Sequence, residues 1–131
     1  EEAGDRRAAL HHGAGLHVPD RRGVSGLLPF LLSARRHRAA GVRPLLTAAA
    51  HGRQGVARAR RLRADAVVLS PVFPTASHPG AAALGPLRWA ALARGAGRRL
   101  PVVALGGLRA GNARRLPARA AGLAAIGGLS E

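Results

Sequence analysis

Two loops concentrate the residue types that chemistry requires. Leu69-Ser-Pro-Val-Phe-Pro-Thr-Ala-Ser-His-Pro-Gly80 supplies Thr75, Ser77 and His78, and Leu100-Pro-Val-Val-Ala-Leu-Gly-Gly107 ends on Gly106 and Gly107. Each is an apolar run that stops abruptly in Pro, Gly, Thr and Ser, the pattern of a buried parallel strand opening into a ligand-binding turn. Function is expected where these strands end. For the glycine pair taken alone, a tight turn between strand and helix is the better reason, and the ligand-holding one gains from its pairing with the first loop; a Pro/Ser turn that satisfies its own backbone accounts equally for Thr75 and Ser77. His51 follows another short apolar run; a positioned imidazole moves protons near neutral pH, although a single His at a strand end is more often structural. Asp20 is placed to pair with Arg21 or Arg22.

The elements that must position these residues alternate along the chain. Gly15–Val18 reads as a strand and a helix follows near 25–40, with Leu27, Leu28, Leu31 and Leu32 at helical spacing and Arg35, Arg36 and Arg38 left to solvent. Pro44 to Ala50 is the next strand, Gly52 to Leu62 the next helix, and Ala66 to Phe73 the clearest strand of all, an almost unbroken apolar run. After the Pro/Gly loop come a helix over Leu87–Ala96, a strand over Pro101–Leu105, a short helix over Asn112–Arg119 interrupted at Pro117, and a strand over Gly122–Ile126. Five strands separated by helices must all run parallel if each helix crosses back to start the next. Spacing alone does not decide between a small doubly wound sheet and part of an eight-stranded barrel.

Composition bounds the functional classes. The 131 residues, 47% of them hydrophobic, suffice for one domain, here taken as 1–131. Apolar runs stop well short of the roughly 18 to 20 residues of a membrane span, no charged-then-apolar leader opens the chain, and a cytoplasmic protein is expected, with no membrane partner. The absence of cysteine excludes disulfides, thiolate metal sites and a thiol nucleophile. A net charge of +15 suggests nucleic acid. All 21 basic residues are arginine, however, scattered as pairs over helices and not gathered into a stripe, and only Phe30, Phe73 and Trp89 are available to stack on bases. Solvated helix faces are the expectation, with only weak, sequence-blind association with DNA or RNA. The chain starts Glu1-Glu2-Ala3-Gly4-Asp5 and contains no methionine, so it is expected to be part of a longer protein.

The loop chemistry chooses between the two sheets. Ser70-Pro-Val-Phe-Pro-Thr-Ala-Ser-His-Pro-Gly80 with Leu84-Gly85 resembles the Gly-Pro-Val-Phe-Pro-Thr-x-(Ser/Thr)-Lys-x-Gly and following Leu-Gly of the thiamine phosphate synthase and thiazole tautomerase family, whose members are (β/α)8 TIM barrels. Pro101-Val-Val-Ala-Leu-Gly-Gly-Leu108 with Asn112-Ala113 is similar to the family's seventh strand and next helix. Gly4-Asp5-Arg6 and Gly15-Leu-His-Val18 look like its Asn-Asp-Arg and Gly-Val-His-Leu, and His51 stands at the His of its Ser-x-His after strand five. The resemblance implies an α/β fold that is an incomplete barrel, containing strands four to eight and the end of strand three.

What the resemblance implies for chemistry is the joining of hydroxymethylpyrimidine diphosphate to a thiazole phosphate, giving thiamine phosphate and pyrophosphate. Gly106, Gly107, Ile126 and Gly127 match positions whose amides hold the thiazole phosphate, a task suited to glycine turns and helix starts. Thr75 and Ser77 match hydroxyl donors to the thiazole partner, and His78 takes the place of a lysine that contacts pyrophosphate. Asp5 matches one Mg²⁺ ligand; Asp20 lies two residues before the place of the second. Ala49 replaces a pyrophosphate-binding serine. The tautomerase branch needs no metal, and there His51 matches the base. A non-catalytic binder of phosphorylated thiazole is a third possibility. His11, His12 and His37 fall in helical segments at no metal-ligand spacing, and His17 is expected as a packed strand residue.

Overall fold

The structure is a computed structural model describing residues 15–21, 27–76, 79–118 and 120–125. Strands and helices alternate as the apolar runs require: β1 (Leu16–Val18), α1 (Leu27–Ala39), β2 (Leu46–Ala50), α2 (Arg53–Arg61), β3 (Ala66–Leu69), α3 (Gly85–Gly95), β4 (Val102–Leu105), α4 (Ala110–Ala113) and β5 (Gly122–Ala124). The five strands form one sheet in the order β1-β2-β3-β4-β5. Every neighbouring pair is parallel, with Ala48 opposite Val67 and Val67 opposite Val102. All strand C-termini therefore lie along one edge, and the loops that leave them are neighbours in space.

Period-two alternation decides which side of the sheet is dry. Val18, Leu46, Ala48, Ala50, Val67, Leu69, Val102 and Ala104 are buried and form one cluster with Phe30 of α1, Val56 and Ala59 of α2, and Trp89 and Ala93 of α3. In α2, Gly55, Val56 and Ala59 are the buried stripe, while Arg53, Arg60 and Arg61 are exposed. Each large side chain removed from water in this cluster contributes about 1.5–3 kcal/mol relative to exposure. The alternate residues Thr47, Ala49, Val68 and Val103 are half-buried. His17 is exposed on β1, and its Nδ1 lies 2.9 Å from Thr47 Oγ1; it is not the packed residue expected.

Three helices end in a residue of left-handed backbone. Val42 N–H reaches back to His37 O around Gly41 (φ 83°), and Gly97 (φ 82°) follows α3. After α2 the same turn, closed by Ala64 N–H to Ala59 O, is made at Arg63 with φ 52°. Glycine is the inexpensive residue at such a stop; a side chain there costs roughly 1 kcal/mol or more.

The elements depart from the sequence-based bounds in three places. β3 ends at Leu69, not Phe73, because Pro71 has no N–H for the ladder; the Ser70–Pro71 peptide is cis. Val72 and Phe73 are nevertheless buried, and their N–H groups bond Leu105 O and Gly106 O at 3.0 and 3.1 Å. α3 starts at Gly85, with Pro86 in its first turn, where a missing N–H costs nothing. α4 is four residues long and begins at Ala110, earlier than the expected Asn112, and Pro117 prevents its continuation.

Candidate active site at the carboxyl edge

β1 and β2 deliver a carboxylate and an imidazole to each other. Asp20 is two residues beyond Val18 and His51 is the first residue after Ala50, on adjacent parallel strands. Asp20 Oδ2 accepts the His51 backbone N–H at 2.8 Å and lies 3.1 Å from His51 Nδ1. Its Oδ1 is 3.7 Å from Arg58 Nη2, and Arg58 also donates to the carbonyls of Pro19 and Arg21. Gly55 makes this possible, since a Cβ there would fall 2.6 Å from Asp20 Oδ2 and 2.8 Å from Ala50 Cα. With Nδ1–H donated to Asp20, the imidazole keeps Nε2 as its acceptor. The His51 side chain is 58% exposed at the edge of the sheet.

β3 and β4 are locked together one step further along. Gly106 (φ 100°) and Gly107 (φ 62°) are both left-handed, and neither has room for a side chain. A Cβ on Gly106 would meet Pro71 Cα at 2.7 Å, and one on Gly107 would meet Pro74 O at 2.3 Å. The turn and the close approach thus both require glycine. Half-buried Thr75 follows Pro74 directly in this loop.

Six further contacts hold the pair of loops. Trp89 Nε1–H donates to Leu69 O at 3.0 Å, pinning the end of β3. Leu84 and Gly85 N–H groups close the base of the β3–α3 loop on Pro71 O and Val72 O, both at 2.9 Å. Asn112 spans the β4–α4 turn, accepting from Arg109 N–H and donating to Gly107 O, both at 2.9 Å. The Arg115 guanidinium lies 5.6 Å over the Phe73 ring.

Of the residues singled out in the sequence, the structure brings together Asp20 with His51, and packs Gly106 and Gly107 against Pro71, Phe73 and Pro74 of the loop that carries Thr75. Asp5, Ser77, His78, Ile126 and Gly127 lie outside the described residues, as do His11 and His12. Asn112, Trp89, Gly55 and Arg58 were not singled out as site residues. Asn112 belongs to the motif that follows β4, but its contact with the Gly107 carbonyl has no sequence signature.

As a cation site the described residues do not fit. No group of three or more His, Asp or Glu side chains converges among them. Asp20, the carboxylate at this edge, is taken by His51 and flanked by the Arg58 cation.

The profile of the family described as thiamine monophosphate synthase matches residues 5–129. The chain belongs to that family. Membership covers both halves of the carboxyl edge, since Asp20, His51, Thr75 and the two glycines all lie inside the matched segment. Among solved structures, the chain is similar to thiamine phosphate pyrophosphorylase from Pyrococcus furiosus, with TM-score 0.53 and 20% identity over 92% of this chain and 61% of that one. It is also similar to nitroalkane oxidase from Streptomyces ansochromogenes, with TM-score 0.60 and 26% identity over 93% of this chain and 36% of that one. The chain thus spans 61% and 36% of the lengths of these two proteins. Their names denote different activities, so what they share with this chain is the strand-and-helix frame, and reaction type must be argued from the site. Comparison with curated proteins returns no match. No helix among the described residues is long and apolar enough to cross a membrane.

Proposed function

We propose that the protein forms thiamine phosphate at this carboxyl edge, joining hydroxymethylpyrimidine diphosphate to thiazole phosphate with release of pyrophosphate. The observation that supports this reading is the locked β3–β4 junction, where the loop carrying Thr75 packs through Pro71 and Pro74 on two left-handed glycines, on the side of a parallel sheet that binds ligands in barrel enzymes. The amides of Gly106 and Gly107, joined by those of Ile126 and Gly127, hold the thiazole phosphate. The hydroxyls of Thr75 and Ser77 orient the ring, and His78 contacts the pyrophosphate as the C–O bond opens. A rigid turn suits that work, because donors fixed before charge develops need not reorganise. In this reading the five strands are strands four to eight of a (β/α)8 barrel, residues 1–131 form one domain, and the enzyme works in the cytoplasm. Mg²⁺ belongs to the proposal as the expected requirement for pyrophosphate release, with Asp5 and Asp20 as its expected ligands. Because Asp20 is committed to His51 and Arg58, no step is derived through the metal.

One observation favours a second reading. The Asp20–His51 contact fixes an imidazole with Nε2 free, the arrangement a proton-moving base requires. Metal-independent aromatisation of a thiazole phosphate tautomer uses only that base and the phosphate-holding loops.

Assays of the full-length protein separate the readings. Thiamine phosphate formation that requires Mg²⁺ and both substrates supports the synthase. Aromatisation without added metal, lost in His51→Ala, replaces it with the tautomerase. Thiazole phosphate binding with neither turnover leaves a non-catalytic binder, and the absence of binding ends all three.

A further inference from the structure

The opposite edge of the sheet carries a second feature that the thiazole reading does not use. Where α2 runs into β3 and α3 runs into β4, a basin of about 740 Å³ is lined by Arg60, Arg63, Arg98 and Arg99 over a floor that includes Ala96 and Leu100. It lies at the strand N-termini, away from Asp20, His51 and the glycine turn. Among the described residues Asp20 and Asp65 are the acidic side chains, and neither serves the basin. Asp20 is at the carboxyl edge with Arg58, and the Asp65 carboxylate is occupied by the Leu46 N–H at 2.7 Å and by Arg38 and Arg43. The four arginines thus line one concavity with no carboxylate among the described residues to neutralise them; Arg60 donates to the Gly95 carbonyl, at 3.5 Å.

We propose that this basin binds a small compound bearing a chain of phosphates, in the manner of inorganic triphosphate or a nucleoside triphosphate. Planar guanidiniums match phosphate oxygens two at a time and hold charge at every working pH. The volume is that of a small-molecule pocket. Aromatic side chains are missing from its lining, and a nucleic-acid strand would use them for stacking. The backbone supplies an independent indication. Of three helix stops with left-handed backbone, two use glycine, at positions 41 and 97, and the third uses Arg63, which lines the basin. The chain carries strain where glycine would relieve it, and the side chain so placed is one of the four cations.

Calorimetric titration of the full-length protein with inorganic triphosphate, at ionic strength fixed with chloride, tests the proposal. Arg98→Gln/Arg99→Gln should weaken binding about tenfold or more, since each removes a charge-assisted contact. Arg53→Gln/Arg88→Gln, which lowers net charge equally at the opposite ends of α2 and α3, should weaken it less than about threefold, because distant exposed charges are screened. Arg63→Gly is the sharper variant: it should raise the melting temperature yet weaken triphosphate binding, an opposition that a structural role for Arg63 would not produce. Titration with ATP distinguishes a nucleotide from free phosphate, and tighter binding of either supports the basin. Equal losses in the two double variants, or single-stranded RNA binding that triphosphate does not displace, would overturn it.

Discussion

The β3–β4 junction at one edge of this sheet and the arginine basin at the other are built on opposite principles. At the carboxyl edge, side chains are removed to let backbones touch: Gly55, Gly106 and Gly107 each have another atom within 2.8 Å of where a Cβ would be. In the basin at the amino edge, Gly97 has nothing within 4 Å and arginines surround open space, whereas Gly15 before β1 is as tight as the carboxyl-edge glycines, with Leu45 O 2.5 Å from its Cβ position. Close backbone approach makes a rigid turn that can fix donors in advance. Unneutralised charge around open space draws a ligand from a distance and leaves the groups free to rearrange. The difference teaches that one sheet can offer a preorganised site and an electrostatic one without the two sharing a residue, and that stability should depend on the first edge far more than on the second.

The largest expected effect breaks the tight edge. Gly107→Ala forces a left-handed side chain against the Pro74 carbonyl, 2.3 Å from the new Cβ. Backbone strain and overpacking together should cost about 3 kcal/mol in urea unfolding, and thiazole phosphate binding should fall with it. A loss below about 1 kcal/mol would show that the loops are not locked as described. Next comes Trp89→Phe, which keeps an aromatic ring but leaves the Leu69 carbonyl without its donor. With the smaller ring, about 2 kcal/mol is expected; a neutral result would mean that the indole N–H does not anchor β3.

Much of the frame was legible because it rests on local patterns. Leu46–Ala50, Ala66–Leu69 and Val102–Leu105 are short apolar runs bounded by turn residues, and the helices between them repeat at 3.6. Val72 and Phe73 extended the third strand on paper because burial and strand are easily confused: both residues are buried, but behind a proline that ends the ladder. The strand-end positions of His51, Thr75, Gly106 and Gly107 followed from the same patterns. Their partners did not. Asp20 meets His51 across 31 positions of chain, a contact set by strand order and register. Gly55 within a helical pattern reads as a defect, and only the Asp20 carboxylate beside it gives the reason. The arginine basin was hidden by abundance, since 21 arginines spread along the chain do not mark which four converge.

Asp65→Ala sharpens the comparison from the amino edge. The carboxylate satisfies the Leu46 N–H, and Leu46 is only 3% exposed, so its loss leaves a buried donor unpaired at about 1.5 kcal/mol. The ion pairs add little, because the Arg38 and Arg43 side chains are 43% and 75% exposed. The deficit should therefore persist when sodium chloride is raised to about 1 M, where surface attractions are screened within about 3 Å. A deficit that vanishes in salt would assign Asp65 to the ion pairs instead.

The smallest effect is the control for the largest. Gly97 has the same sign of φ as Gly107 but open space around it, so Gly97→Ala should cost only the conformational strain, about 1 kcal/mol. The difference between the two alanine variants then isolates the close contact with Pro74, free of the backbone preference common to both. Since Gly97 also lines the basin, a methyl group there has room to sit without displacing a guanidinium, and triphosphate binding should be preserved. Equal losses at Gly97 and Gly107 would mean that left-handed backbone alone governs both sites, and the contrast between a packed edge and an open one would have no energetic basis.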